Sequence, residues 1–569
     1  MLALAALVWF SSYLAAVRIY QVDECQNLYM AKILAAGQSH EFFTNASLFL
    51  LGPLSWITKA ATRSEDALAW ARLVFLGVFW LNLALLALIA GGRICSGRTL
   101  LALIAAATLA PVWDYGFEIR HDNLILTGVL LIWYLTRVKN KGTTSYFLAG
   151  AITVTMLFIA VKSVVYVIPL SLAVLAFPPP NAGRSRLRSC VAWLGGLLSA
   201  TILVRLCYGN GGGWDRYLAV FHGVTRYSTG GGGGSAGFAP WSALGRLPAQ
   251  TPLLLALTVG ACLALAAELV RSGRRALCWD GNLPELLLLF GALGALFLNP
   301  SPYPYNLIHL VPYAFILVFR FTAGVWNYLW TPTLKPLVVG TLVFAHLVPF
   351  GVATRRHLDW PNWRQTGLMR LAESMTDPVK DPVYDGIGMV TTRPAIHYLW
   401  YLHGLIIQSF IDGSGPRVRD MLAARPAPVF IPNYRTDWLH AEDHEFIRQH
   451  YVSLADDLWV LGKVLDAGGG TFEITHPGRY RISTLEGSDL AGTYPEGLKG
   501  MMTPEVKGAF VGTLDGQSLT SHPVYLTPGI HRIETTAGCQ PAVVWVGPHL
   551  ERVHRVPPSD HRRLFYNWY

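Results

Sequence analysis

Long apolar runs crowd the first two thirds of the chain, and they limit its possible folds more than any other feature. A helix needs about 20 predominantly apolar residues to cross the roughly 30 Å of hydrocarbon in a bilayer. Hydrophobic residues make up 52% of the chain and charged residues only 14%, which is less charge than soluble proteins carry. The sequence therefore predicts a polytopic α-helical membrane protein. We place eleven spans near residues 2–17, 67–90, 99–116, 123–136, 146–161, 163–177, 190–207, 251–270, 283–298, 305–319 and 335–350.

The basic residues predict how these spans are oriented. Every second short connection carries a basic cluster, such as TRVKNKG at 136–142 and RSGRR at 271–275, whereas the intervening short loops contain Arg120 alone. Lysine and arginine are enriched in cytoplasmic loops. We therefore expect an inner or plasma membrane protein with a cytoplasmic N-terminus and with everything after about residue 352 outside. The net charge of +10 is spread over these connections, so a nucleic acid partner is not predicted.

Ionisable and aromatic residues gather at the outer ends of the predicted spans. An outer loop at 18–66, with two stretches expected to form surface helices, opens with two adjacent acids directly after span 1. Any one of these residues could simply solvate the end of a helix, but ionisable groups at the apolar boundary are costly and usually face a cavity or a partner. Their convergence on one side favours an outer functional site. The candidates are Asp23, Glu24, Arg120, His121, Asp122, Lys162, Tyr303, Tyr305 and His309.

A second outer loop, predicted at 208–250, contains the glycine-rich stretch STGGGGGSAG. Such a stretch cannot hold regular structure, so the loop could be a mere connection. The alternative is a lid that closes over a lipid-linked substrate, with Arg216, His222 and Arg226 available to a phosphate.

The last third of the chain has a different character from the apolar part. Residues 352–467 read as a mixed α/β region, because short helical patterns alternate with short apolar strands. Residues 468–569 carry strand-length alternating segments such as TFEIT and RYRIST, separated by turn residues, which predicts a β-sandwich of jelly-roll type. A structural role for this sandwich is at least as favoured as carbohydrate binding.

Several outer motifs together resemble the GT-C glycosyltransferases, in the branch that holds the protein O-mannosyltransferases and the lipid A aminoarabinose transferase. VDECQNLYMAKILAAGQ is similar to the Asp-Glu motif of that branch, and GPLSW, EIRHDN, VKS and YPYNLIHLVPYAFIL resemble later elements in the same order. The likeness covers residues 1–350. It departs where that branch often has an arginine, here Gln26, and a lysine before its Pro-Leu element, here FLLGPL.

The resemblance implies an enzyme that transfers a sugar from a polyprenyl-phosphate donor to a lipid, glycan or protein acceptor at the outer face. It implies inversion at the sugar, with Asp23 as the general base and Glu24 orienting that base or binding the sugar. Lys162 and Arg120 would meet the donor phosphate. No cofactor is implied, and the absence of a DxD motif or His/Cys cluster leaves a divalent metal possible but not indicated.

Two other classes of protein remain open. A secondary transporter would also have many spans and ionisable groups, but it should show two similar halves, and no internal repeat is visible in the sequence. A non-catalytic subunit of a cell-envelope glycan assembly complex would carry the same sandwich, and its Asp23 would be dispensable.

Overall fold

The fold has a helical part and a C-terminal part that contains two β-sheets. The computed structural model describes residues 1–37, 48–93, 96–139, 142–176, 183–209, 218, 240–272, 283–298, 303–329, 335–396, 402, 407–415, 417–455, 457–485, 512–519, 523–535, 540–547 and 562–565. Statements below refer to these residues. Arg216, His222 and Arg226, and with them most of the predicted lid, lie outside them.

The helical part follows the predicted apolar segments. Its helices are α1 (Leu2–Val17), α2 (Val22–Ala35), α3 (Leu48–Ala60), α4 (Ser64–Gly91), α5 (Gly97–Ala107), α6 (Ala110–Tyr115), α7 (His121–Trp133), α8 (Thr143–Ile159), α9 (Val164–Ala176), α10 (Gly183–Gly209), α11 (Pro240–Leu244), α12 (Leu247–Gln250), α13 (Pro252–Ser272), α14 (Leu283–Leu298), α15 (Leu307–Leu329) and α16 (Lys335–Asp359). The third predicted span is broken into α5 and α6, because Pro111 suits the first turn of a new helix and not the interior of a long one.

The predicted number of eleven spans is not confirmed. Among the described residues, four helices are long and apolar enough to cross a bilayer alone: Ser64–Gly91, Leu187–Cys207, Pro304–Thr322 and Lys335–Asp359. A fifth span results if the bent pair Trp241–Gln250 and Pro252–Ala267 counts as one. Others are shorter: Leu2–Val17 has 16 residues, which as a helix cover about 24 Å, less than the hydrocarbon thickness.

Helix α2 is buried on most sides, contrary to the expectation of a helix exposed on the membrane surface. Its side chains share one hydrophobic core with α3, α4 and residues of the C-terminal part. The C-terminal part therefore covers α2. Helix α3 matches the expectation better, since its Trp56 is 76% exposed.

The C-terminal part begins with helix α17 and continues through alternating helices and strands. The further helices are α17 (Trp363–Met375), α18 (Ile407–Ile411), α19 (Val418–Ala424) and α20 (Ala441–His450), and the strands are β1 (Val383–Tyr384), β2 (Val429–Phe430), β3 (Tyr451–Ala455), β4 (Leu458–Val464), β5 (Gly469–Ile474), β6 (Gly478–Leu485), β7 (Gly512–Leu514), β8 (Gln517–Ser518), β9 (Val524–Leu526), β10 (Gly529–Thr535) and β11 (Gln540–Trp545).

These strands form a seven-stranded sheet in the order β1-β2-β4-β11-β6-β9, with β3 paired to β4, and a four-stranded sheet in the order β5-β10-β7-β8. The larger sheet crosses the predicted boundary at residue 467, because β4 pairs antiparallel with β11. The mixed α/β region and the predicted sandwich are thus joined by main-chain hydrogen bonds. Apolar side chains from both sheets belong to one core.

The start of α17 holds the chain that leads into α2. Gln365 accepts a hydrogen bond from the backbone N–H of Tyr20 (2.7 Å) and donates to the carbonyl oxygens of Tyr20 and Leu564 (3.0 Å each). Asn362 donates its backbone N–H to the carbonyl oxygen of Val17 (2.7 Å). These contacts fix the segment that places Asp23 and Glu24.

Candidate active site

The two adjacent acids at the start of α2 have different surroundings. Glu24 is fully buried, and Arg72 of α4 donates to both of its oxygens, from Nε at 2.8 Å and from Nη2 at 2.6 Å. Its Oε2 also accepts the backbone N–H of Gln21 (2.8 Å). Burial by itself would raise the pKa of Glu24, but the ion pair and hydrogen bonds with Arg72 outweigh it and lower that pKa. Glu24 therefore ties α2 to α4.

Asp23 instead lies at an accessible edge, with 29% of its side chain exposed, and forms an ion pair with Arg120. Arg120 is buried at the N-cap of α7, and its guanidinium carbon lies 3.4 Å from the centre of the Tyr305 ring. This arrangement combines an ion pair with a cation–π contact. Arg120 is held in place from two directions.

Asp122 is the centre of the cluster. It is buried in the first turn of α7, and its Oδ1 lies 2.5 Å from Lys162 Nζ and 3.5 Å from His309 Nε2. Its Oδ2 lies 3.3 Å from Arg120 Nε and 3.8 Å from His121 Nε2. Asp122 thus joins residues that lie more than 180 positions apart in the sequence.

Aromatic rings cover the cationic side of this cluster. Tyr303 stacks on Tyr305 with ring centres 5.3 Å apart, and Lys162 Nζ lies 5.6 Å from the centre of the Tyr305 ring. His309 stacks on Tyr166 of α9 at 4.4 Å. Rings at this position can hold the cations and offer an apolar surface to a sugar face.

Among the predicted site residues, the structure brings one set together into a single chain of contacts, which we call the Asp23 cluster. It contains Asp23, Arg120, His121, Asp122, Lys162, Tyr303, Tyr305 and His309. Asp23, His121 and Lys162 are each about 30% exposed, so the cluster has an accessible edge. Glu24 is not part of it. That the residues of the Asp23 cluster line one shared cavity stays a prediction.

Sequence reasoning missed several residues of the site. Arg72 lies inside a predicted span, and only its pairing with Glu24 reveals its role. Tyr434 comes from the C-terminal part. Burial raises the pKa of its phenol, Arg435 lowers that pKa, and the Asp23 carboxylate raises it. The aromatic and basic stretch NYRTDW was the signal that could have found it.

The described side chains of this site are not arranged as metal ligands are in proteins. Within the described ranges, no group of three or more histidine, cysteine or acidic side chains is arranged to hold a metal ion. The acids of the Asp23 cluster form ion pairs with Arg120 and Lys162. These two side chains supply positive charge to the site.

Comparison with known proteins gave distant structural likenesses. No family model and no curated protein matches the chain. ArnT from Cupriavidus metallidurans, in a structure bound to undecaprenyl phosphate, is 13% identical with a TM-score of 0.49, covering 81% of this chain and 96% of its own. The Archaeoglobus fulgidus oligosaccharyltransferase tethered with an acceptor peptide is 10% identical with a TM-score of 0.43, covering 79% and 73%.

A structure of AglB from Archaeoglobus fulgidus, in complex with an inhibitory peptide and a dolichol-phosphate, is 11% identical with a TM-score of 0.41, covering 92% of this chain and 76% of its own. These neighbours are GT-C glycosyltransferases, the class that the sequence motifs resemble.

Proposed function

We propose that the chain is a membrane glycosyltransferase that moves a sugar from a polyprenyl-phosphate donor to a hydroxyl group of a lipid, glycan or protein acceptor. The observation that carries this proposal is the Asp23 cluster, in which the partly exposed carboxylate of Asp23 pairs with Arg120, and the buried Asp122 joins Arg120 to the partly exposed Lys162. Transfer from a lipid phosphate needs a group that accepts a proton and a positive charge for the leaving phosphate. The cluster supplies both.

In the proposed reaction Asp23 accepts the proton of the acceptor hydroxyl as the hydroxyl oxygen attacks the anomeric carbon of the donor sugar. The bond from that carbon to the phosphate oxygen breaks, and polyprenyl phosphate leaves with the electron pair. This single displacement inverts the anomeric centre, and no covalent glycosyl-enzyme is needed. The ion pair with Arg120 orients the Asp23 carboxylate.

Lys162 is the proposed contact for the leaving phosphate. Its side chain is 31% exposed, and only Asp122 approaches it closely as a counter-charge among the described residues. A donor phosphate can therefore approach Lys162 from the accessible edge. Arg120 is buried and already shared between Asp23 and Asp122, so we propose that it orients these acids. Glu24, held by Arg72, is proposed to anchor α2 and to bind no sugar.

The cluster is proposed to face the outside of an inner or plasma membrane, with the N-terminus in the cytoplasm and the C-terminal part on the same side as the site. The basic connections support this orientation. Cysteine labelling tests it in a cysteine-free background. An impermeant reagent added outside should label Ile530→Cys, whose position is 78% exposed, and should spare Arg186→Cys. Labelling of Arg186→Cys from outside would overturn this topology.

The decisive experiment incubates the purified protein with a panel of polyprenyl-phosphate sugars and measures released polyprenyl phosphate and glycosylated acceptor. Asp23→Asn should lower transfer about 10²–10⁴-fold, the contribution typical of a general base. The change keeps the size of the side chain, so the loss reports the missing charge. The matched control is Asp66→Asn, at a partly exposed position in the first turn of α4, which should leave transfer unchanged.

Each result of this experiment separates the alternatives. Full transfer by well-folded Asp23→Asn to a hydroxyl acceptor would contradict the assigned base. Release of no polyprenyl phosphate from any donor, with Asp23→Asn fully functional in cells, would favour a non-catalytic assembly subunit. Movement of an intact solute across proteoliposomes without glycosyl transfer would favour a transporter.

A further inference from the structure

A cavity of about 260 Å³ lies on α2, away from the Asp23 cluster. It is lined by Lys32, by Thr58 and Thr62 around the end of α3, and by Thr391 and Thr392 of the segment after β1, with two alanines completing the wall. Lys32 follows Asp23 by nine positions, which in a helix is two and a half turns and about 13 Å along the axis. The two side chains therefore leave α2 on opposite faces, and the cavity is a separate site.

Lys32 brings a positive charge to this cavity without a counter-charge. Its Nζ donates to the carbonyl oxygen of Arg393 and lies 5.1 Å from the centre of the Tyr29 ring, and no carboxylate of a described residue forms an ion pair with it. Burial, together with the charges of Arg393 and Arg425, lowers the pKa of Lys32 to about 7. A bound anion would supply the missing negative charge and stabilise the protonated amine.

The threonines add hydrogen-bonding capacity around the lysine. The hydroxyl groups of Thr62 and Thr391 have no protein partner in the described part of the chain, although Thr391 is only 3% exposed. A hydroxyl can both donate and accept a hydrogen bond. By contrast, Thr392 donates to Glu373 (2.6 Å), whose carboxylate also accepts from Ser64 (2.6 Å). The Glu373 carboxylate thus accepts hydrogen bonds from two hydroxyl groups, and it forms no ion pair with Lys32 among the described residues.

We propose that this cavity binds the phosphate or carboxylate group of a small hydroxyl-bearing molecule, with Lys32 as the cation and Thr62 and Thr391 as hydrogen-bond donors. The volume is below the roughly 300–1,000 Å³ of pockets that enclose drug-sized ligands, so it suits one headgroup. A soluble sugar phosphate and the headgroup of an anionic lipid share this chemistry. The site is independent of the proposed transfer reaction.

The test measures thermal unfolding of the full-length protein in phosphatidylcholine nanodiscs as glucose 6-phosphate is added, with glucose as the neutral control. A ligand that binds only the folded protein raises Tm in a saturable way. Wild type should respond to glucose 6-phosphate and not to glucose. Lys32→Met should raise the half-saturating concentration at least about tenfold, because a hydrogen-bonded charge is lost. Thr391→Val, which keeps the shape, should weaken the response as well.

Matched variants and membranes separate the outcomes. Lys59→Met, on the exposed end of α3, should respond like wild type, and Asp23→Asn should keep the response even where it abolishes transfer. A rise in Tm that occurs only in nanodiscs containing phosphatidylglycerol, and that Lys32→Met and Thr391→Val lose, identifies a lipid headgroup as the ligand. Equal responses of wild type, Lys32→Met and Thr391→Val, or no response to either anion source, would overturn the proposal.

Discussion

At the scale of residues, the adjacent carboxylates of Asp23 and Glu24 have opposite surroundings. Asp23 is partly exposed beside Arg120, whereas Glu24 is buried against Arg72. Consecutive residues of a helix point about 100° apart, so one faces the accessible edge and the other the interior. This difference explains why we propose Asp23 as the base and Glu24 as the anchor of α2.

Replacing Glu24 with Gln should destabilise the protein, while Asp23→Asn should not. Glu24→Gln leaves the Arg72 guanidinium charged and buried, and breaking such a pair costs roughly 3 kcal/mol or more. Surface substitutions usually stay within about 0.5 kcal/mol, as expected for Asp23→Asn. Thermal unfolding of both variants in detergent checks the contrast. For transfer per folded molecule, by contrast, Glu24→Gln should be milder than Asp23→Asn.

The same ion pair predicts a dependence on pH. Because the pKa of Glu24 is lowered in the folded protein, its contribution is fully present above the value of the unfolded chain, about 4.3. It is lost as the pH falls through the lower, folded value. The difference in Tm between wild type and Glu24→Gln should therefore be constant near neutral pH and shrink in acid. A difference that grows in acid would contradict the assignment.

Lys162→Gln should weaken use of the lipid donor. The substitution removes the positive charge of Lys162, whose side chain is 31% exposed and pairs with Asp122. Loss of one group that stabilises a developing negative charge typically lowers kcat about 10²–10³-fold. Steady-state kinetics with varied donor gives kcat and KM, with Lys59→Gln as the exposed control. Unchanged kinetics would remove Lys162 from the site.

At the scale of elements, α8 and α10 approach each other closely through glycines. A Cβ atom added to Gly196 would lie 1.9 Å from the carbonyl oxygen of Phe147, and one added to Gly150 would lie 2.1 Å from that of Trp193. Close approach of membrane helices through small residues replaces the hydrophobic driving force that water would supply. This contact fixes α8, whose end leads directly to Lys162.

Gly196→Ala and Gly195→Ala form a matched pair that tests this contact. The two positions are adjacent in α10, and both substitutions gain the same helix propensity. At Gly195 the added Cβ meets only Phe147 ring atoms at 3.7 and 3.8 Å, which is ordinary contact. We expect Gly196→Ala to lower Tm and Gly195→Ala to leave it unchanged or raise it slightly. Equal Tm values would show that α8 and α10 are not closely packed.

At the scale of the whole molecule, the C-terminal part completes the site region built by the helices. It covers α2 and holds Tyr20 through Gln365. A region that sequence patterns describe as an appended sandwich is therefore continuous with the core around the first loop. Its removal would expose that core and release the segment that carries both acids.

Gln365→Leu should uncouple the two parts of the chain. The change leaves the backbone N–H and carbonyl of Tyr20 without their buried partner, and each buried unsatisfied group costs about 1–3 kcal/mol. Limited proteolysis should then cut the first loop faster, and transfer should fall although Gln365 does not touch the Asp23 cluster. Gln449→Leu is the control, because Gln449 is exposed and donates to the neighbouring Glu445 on the same helix (2.9 Å). Equal proteolysis of both variants would contradict the coupling.

The sequence by itself determined the membrane class, the helices and the residue types of the site. Apolar runs are read from hydropathy alone, and ionisable residues such as Asp23, Arg120 and Lys162 stand out because they are costly at an apolar boundary. The strands of the C-terminal part were also predictable, since alternation along β5 and β6 is a local pattern. The sequence did not fix the number of spans, because helix breaks and lengths depend on packing.

Only the tertiary structure decided which partner each charge has. Glu24 and Arg72 lie 48 positions apart, Asp122 and His309 lie 187 apart, and Gln365 reaches Tyr20 across 345. Such pairings depend on how distant elements pack, and no local periodicity encodes them. The same reason explains why β4 and β11 join across the predicted boundary, and why the roles of Asp23 and Glu24 separated only when their neighbours were known.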